Sequence, residues 1–199
     1  MFTAMLRNAL LLLPILLCSC SPPAKQEAPA VYRVKFETSK GPFVVEVHRD
    51  WAPNGADRFY DLVQQKFFDD NRFFRIVKGF IVQFGLNGDT LVSAQWQTRT
   101  IPDDPVKQSN TPGMLSFAMA GPGTRTTQLF VNLGDNAQSL DPQGFAPFGR
   151  VIDGMSVVAQ LNAEYGEAPD QGKIQSQGND YLKQTFPNLD YIKTARIEQ

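Results

Sequence analysis

Cysteine is nearly absent from this chain. Its two cysteines, Cys18 and Cys20, both lie within the first twenty residues. Neither can staple a folded body, so a disulfide framework, thiol catalysis and cysteine metal sites are excluded beyond residue 20. Histidine is scarcer still. His48 is alone, which excludes a histidine metal cluster and reads as a surface residue beside Arg49 and Asp50. There is no basic run, and the formal net charge is only -1, so nucleic acid is not an expected partner. There is no long apolar run either. The longest, Ala9 to Leu17, falls short of the roughly 20 residues that span a bilayer. What remains is the composition of an ordinary folded protein of 199 residues, 42% hydrophobic, enough for one domain plus additions. Fifteen phenylalanines imply an aromatic core or pocket, since each buried ring removes a large apolar area from water.

Residues 1–19 read as a secretory signal, with Arg7 as the only charge ahead of the apolar run. The run ends in Leu17-Cys18-Ser19-Cys20. This resembles the bacterial lipobox, in which cleavage precedes a cysteine that then carries lipid. The resemblance makes Cys20 the lipidated residue and sends Cys18 away with the signal. Each buried methylene contributes about 0.8 kcal/mol, so several acyl chains on one residue anchor firmly. Residues 21–30 hold three prolines and no apolar periodicity, so residues 20–30 read as the lipidated cysteine and a solvated tether. The folded domain is then expected over 31–199.

Val31 to Glu37 and Phe43 to Val47 alternate apolar and polar residues around Thr38-Ser39-Lys40-Gly41-Pro42, the pattern of a β-hairpin. Pro53 suits the first turn of a helix, and Ala56, Phe59, Tyr60, Leu62 and Val63 keep helical spacing to about Lys66. Phe73 to Phe84 reads as strand interrupted at Lys78-Gly79. The polar stretch from Asn87 to Pro112 reads as one long loop. Strands are expected at Gly113 to Ala120, Gln128 to Leu133, Phe145 to Val151 and Lys193 to Glu198, and a helix at Asp153 to Leu161. The Gly- and Gln-rich segment from Gly166 to Asn188 carries Tyr181, Leu182 and Phe186, enough for a short helix packed on the body. Short strands with two substantial helices suggest a β-barrel or sandwich capped by helices.

Three stretches, taken in order, resemble the cyclophilin-type peptidyl-prolyl cis–trans isomerases. They are Phe73-Phe74-Arg75-Ile76-Val77-Lys78-Gly79-Phe80-Ile81-Val82-Gln83; Gly113 to Pro122 followed by Gln128-Leu129-Phe130-Val131; and Leu140-Asp141 followed by Phe145-Ala146-Pro147-Phe148-Gly149-Arg150-Val151. The resemblance runs over roughly Val31 to Leu161. It implies a mainly β fold, a closed eight-stranded antiparallel barrel capped by two α-helices. Carried over residue by residue, Arg75 is the catalytic arginine, and Gln83 orients the substrate backbone. Phe80, Ile81 and Phe130 wall the proline pocket, with Leu140 and Phe145 on its rim. Ala118, Met119 and Gln128 flank the bound peptide. Several positions depart from the family pattern. Ser139 stands where many eukaryotic members have a tryptophan that hydrogen-bonds cyclosporin, and Phe145 where a histidine is common. Phe84-Gly85-Leu86-Asn87-Gly88 replaces the usual Gly-Gly-Asp after the glutamine, and Phe74 and Lys78 replace His and Pro.

Rotation about an X–Pro bond makes and breaks no bond, so the resemblance implies no nucleophile, metal or cofactor. The amide resists twisting by about 18–20 kcal/mol. At the twisted state the prolyl nitrogen gains a localised lone pair, and a fixed, permanently charged guanidinium can donate to it. The expected partners are proline-containing polypeptides of the cell envelope and, through the lipid on Cys20, a membrane. The tether and single domain suggest a monomer. A proline-binding chaperone with incidental turnover is the alternative, and retention of Arg75 favours the isomerase, because a binder needs the pocket but not the arginine.

Overall fold

The computed structural model describes residues 27–198. The signal, Cys18, Cys20 and most of the tether lie outside the described residues. The first strands obey the period-2 pattern of the sequence. β1 (Val31–Thr38) and β2 (Pro42–His48) pair antiparallel with Val34 opposite Val45 and Phe36 opposite Phe43. Tyr32, Val34, Phe36, Phe43, Val45 and Val47 are all buried on one face, because alternate side chains leave a strand on the same side. Helix α1 (Pro53–Gln64) starts at a proline and lacks a side-chain cap of its own. Its first free N–H groups are satisfied from a distance: Asn54 and Gly55 donate to the Asp104 carboxylate at 3.0 and 2.9 Å.

β3 (Arg75–Val77), β4 (Ile81–Phe84), β5 (Met114–Phe117), β6 (Leu129–Asn132), β7 (Pro147–Asp153) and β8 (Ile192–Ile197) complete one sheet of eight strands in the order β3-β4-β6-β5-β7-β2-β1-β8. The sheet curls around a core that buries nine of the fifteen phenylalanines. Phe36 stacks on Phe43 at 4.6 Å, and Phe59 meets Phe148 at 5.3 Å. The aromatic excess is thus mostly core.

The expected closed barrel is not what forms. β3 and β8 are the two ends of a curled half-barrel and meet only through an isolated bridge, Arg72 to Tyr191. The reason lies at the edge of β3. β3 is three residues long, and its edge is already used, since the Ile76 N–H donates to the carbonyl of Gly166 at 3.1 Å. A loop covering an edge strand removes the unpaired row that a closing strand would need.

The helices also differ from expectation. The presumed loop 87–112 contains α2 (Thr90–Gln97), capped by Asp89, whose carboxylate accepts from Leu91 N at 2.8 Å. A short α3 (Ala137–Leu140) runs into a single 3-10 turn. The helix expected at Asp153 to Leu161 is only α4 (Met155–Ala159). The second helical stretch is instead α5 (Gln171–Thr185), in the Gly- and Gln-rich segment and kinked at Gly178. Finally, the end of the presumed tether is docked. Ala28 is buried, and its N–H donates to Asp57 Oδ1 at 3.1 Å. Arg49 N donates to Ala30 O at 2.9 Å.

Candidate active site

The site is a cross-strand row. Arg75 on β3 lies directly opposite Gln83 on β4, and Gln83 opposite Phe130 on β6. Paired residues share a sheet face, so these three side chains emerge together. Val82 and Phe84 turn the other way, into the aromatic core. Ile81, two residues before Gln83, joins the same outer face. With Phe130 and Leu140 it forms a small buried cluster, against which Phe80, Ala118 and Phe145 pack. Phe145 meets Phe130 edge-on at 5.6 Å.

The supports of this patch are specific. The carbonyl of Phe80 accepts from Leu133 N at 2.8 Å and from Asn136 Nδ2 at 2.9 Å, which fixes the β3–β4 turn. Asn110 Nδ2 donates to Asp141 Oδ1 and to the carbonyl of Phe145, both at 2.8 Å, and ties the Leu140 and Phe145 rim to the sheet. Burial pushes the Asp141 carboxyl upward. Hydrogen bonds from the side chain and backbone of Asn110 and from Ser109 outweigh it, so the group ends below its ordinary range.

Beside the apolar patch runs a chain of polar contacts. Arg75 Nη1 donates to Gln83 Oε1 at 3.1 Å, and Gln83 Nε2 donates to Gln128 Oε1 at 2.8 Å. The Arg75 guanidinium sits 5.9 Å from the centroid of the Phe80 ring. A cavity of about 610 Å³ opens over the row. All ten site residues named from the sequence line it: Arg75, Phe80, Ile81, Gln83, Ala118, Met119, Gln128, Phe130, Leu140 and Phe145. The arrangement offers an apolar slot with a fixed cationic donor at its edge. Among the described residues no cluster of His, Cys, Asp and Glu could hold a metal ion.

The sequence did not single out the remaining wall. Gln97 from α2, Thr124 and Thr126 from the β5–β6 loop, and Gln171 and Gln175 from α5 also line the cavity. Glu167 reaches Arg75 itself, its Oε1 accepting from Nε at 2.6 Å. These residues arrive from segments with no apolar period, and nothing in their local pattern marks them.

A curled antiparallel sheet that presents an arginine–glutamine pair beside an apolar slot defines the class. The profile described as "Cyclophilin type peptidyl-prolyl cis-trans isomerase/CLD" matches residues 33–180, and the chain belongs to that family. It is a peptidyl-prolyl cis–trans isomerase. It is similar to such an isomerase of Arabidopsis thaliana, with 35% identity over 136 residues that cover 65% of this chain and 80% of the relative. Peptidyl-prolyl cis-trans isomerase B of Escherichia coli (strain K12) is 31% identical over 141 residues, covering 64% and 82%. Among solved structures, the cyclophilin-type isomerase of Cryptosporidium parvum superposes with a TM-score of 0.63 at 21% identity, covering 85% of this chain and 98% of its own. A second structure of that protein, determined in the presence of the dipeptide Ala-Pro, gives 0.62 at 21% identity, covering 84% and 99%.

Proposed function

We propose that this isomerase turns X–Pro bonds in proteins of the bacterial envelope, with Arg75 as the donor to the twisted prolyl nitrogen and lipid on Cys20 as the anchor. One observation carries the catalytic part. Arg75 stands at the edge of the slot formed by Ile81, Phe130 and Leu140, held by Gln83 at 3.1 Å. A proline ring seated on that slot puts its nitrogen beside the guanidinium. The slot grips the ring while the preceding carbonyl swings. The fixed fork of guanidinium donors stabilises the lone pair where it develops. Gln83, braced by Gln128, accepts from Arg75 and orients the substrate backbone. Ala118 and Met119 flank the peptide. The Ala-Pro dipeptide used with the C. parvum structure is the smallest ligand of this kind.

The envelope part rests on the N-terminal sequence. Among the described residues no helix is long and apolar enough to cross a membrane, and lipid at Cys20 supplies the attachment. Because Ala28 is docked on the domain, the span from Cys20 to Ala28 can cover at most about 28 Å. The domain, working as a monomer, then meets its substrates close to the bilayer surface. The test is fractionation of cells that make the full chain or Cys20→Ser, with mass spectrometry of the N-terminal peptide. Wild type is expected in the membrane fraction with acyl mass on Cys20, and Cys20→Ser in the soluble fraction. Cys20→Ser remaining with the membranes would contradict the anchor.

A further inference from the structure

Residues 163–189 form a lobe with its own small core. Ile174, Leu182 and Leu189 pack on Phe74 and Leu86 of the sheet region, with Tyr165, Tyr181 and Phe186 around them. Phe74 and Leu86 are two of the positions at which the sequence departs from the family pattern, and the lobe accounts for both: they are its apolar seats. Tyr165 and Tyr181 clasp Phe186 edge-on at 5.1 and 5.6 Å. Asp170 caps α5, accepting from Lys173 N at 2.8 Å. The lobe is therefore a packed element fixed to the sheet.

Its register on the sheet is set by one backbone bond. Ile76 N donates to Gly166 O at 3.1 Å, which brings the next residue of the lobe, Glu167, beside the preceding residue of the strand, Arg75. Glu167 Oε1 then accepts from Arg75 Nε at 2.6 Å and stands 2.5 Å from Nη2 in the same ion pair. Gln83 takes Nη1 on the other side at 3.1 Å, and the Phe80 ring covers a face. A guanidinium has five N–H donors in one plane. Nε and Nη1 each give one hydrogen bond and Nη2 faces Glu167 in the ion pair, which leaves one N–H on each terminal nitrogen for a ligand.

From this geometry we infer that Glu167 is a positioning residue, which locks the plane of the Arg75 guanidinium so that its two remaining donors face the proline slot. The inference rests on the role proposed above for Arg75. Arginine is a flexible side chain, and a donor must be fixed before the reaction to act fully on the developing charge. Glu167 contributes a clamp on the Nε–Nη2 edge that Gln83 cannot supply from the Nη1 side. The carboxylate is 62% exposed, so the clamp stands at the rim and leaves the slot open to peptide. Removing it should lower the rate of turnover and leave affinity nearly unchanged, because the walls that grip proline are untouched.

The experiment compares the full-length wild type with Glu167→Ala, Glu167→Gln and Arg75→Ala on one X–Pro peptide, with kcat and KM resolved separately. Glu167→Ala should lose about tenfold in kcat with KM within twofold. This is less than the roughly 10²-fold of an ångström's misplacement, because Gln83 still holds Nη1. Glu167→Gln, which keeps an oxygen acceptor, should recover part of the loss. The Arg75 Nε–H resonance, assigned by its disappearance in Arg75→Ala, should be sharp in wild type and broadened in Glu167→Ala. An Ala variant as fast as wild type, or faster, overturns the inference; so does a loss carried by KM. Glu167→Ala as fast as wild type while Arg75→Ala is slow sinks the clamp and spares the arginine. If Arg75→Ala also matches wild type, the role of Arg75 fails first.

Discussion

Replacing Gly178 by alanine should open the C-terminal lobe without unfolding the sheet. Gly178 sits inside α5 at φ 60° and ψ −145°, a region essentially reserved for glycine and costing about 1–3 kcal/mol for other residues. A Cβ there would lie 2.1 Å from the carbonyl oxygen of Gly88 and 3.3 Å from Thr90 Cγ2. The backbone would have to part, at the further cost of about 1–3 kcal/mol typical of overpacking. It would also disturb the Asn179 N to Gly88 O bond, now 3.0 Å, worth about 1 kcal/mol. The total, roughly 3–7 kcal/mol, falls on a lobe whose private core is five buried residues. Local opening is therefore easier than global unfolding. Amide hydrogen exchange should show protection at Ile174, Asn179 and Leu182 falling by at least about a hundredfold, since each 1.4 kcal/mol is tenfold. Protection in β1 and β2 should persist. Unchanged protection at Asn179 would refute the argument that close backbone approach demands glycine there.

Other substitutions probe the site and the sheet. Arg75→Lys keeps the charge but loses the fork, so isomerisation should slow by at least about tenfold with little loss of stability, read in the same peptide assay. Phe130→Ala removes a ring that is 2% exposed. It should raise KM markedly and cost about 3 kcal/mol in a denaturant titration, and an unchanged KM would remove Phe130 from the proline wall. Hydrogen bonds from His48 and then Arg150 pull the Glu46 carboxyl from its ordinary 4.5 down to about 2. Its folded pKa is depressed, so its contribution to stability is full above about pH 4.5 and disappears as pH falls toward 2. Glu46→Gln should flatten that part of the acid-unfolding curve, and an identical curve would contradict it. Ser139, whose hydroxyl donates to Asn136 O at 3.0 Å, offers no indole donor, so cyclosporin should inhibit weakly, and tight inhibition in a titration would contradict this.

Much of the site could be read in advance because it is built from strands. Contiguous stretches carry the resemblance to the cyclophilin-type isomerases that named Arg75, Gln83 and Phe130, which β3, β4 and β6 then bring into register, while the period of two placed the β1–β2 hairpin. What escaped was non-local. The start of α2 was legible in Asp89 as a cap, yet Gly88 and the prolines further on, Pro102, Pro105 and Pro112, read as loop. The barrel failed to close because Gly166 occupies the β3 edge, a contact between residues ninety apart in sequence, and no periodicity announces it. Glu167 was hidden for the same reason. Phe74 and Leu86, by contrast, stood out as departures, and both prove to be the seats of the lobe that carries Glu167.

The role of Arg75 is tested most directly by isomerisation of a short X–Pro peptide by the full chain and by Arg75→Ala, with thermal unfolding of both. Loss of one fixed donor at the developing lone pair should cost about 10²–10³ in kcat/KM, or roughly 2.7–4 kcal/mol. Thermal unfolding should show Arg75→Ala still folded, since the side chain stands at the rim of the cavity and its partner Glu167 is 62% exposed. A folded Arg75→Ala that turns over as fast as wild type would contradict the account: the slot would then be the whole of the machinery, and the arginine only part of its rim.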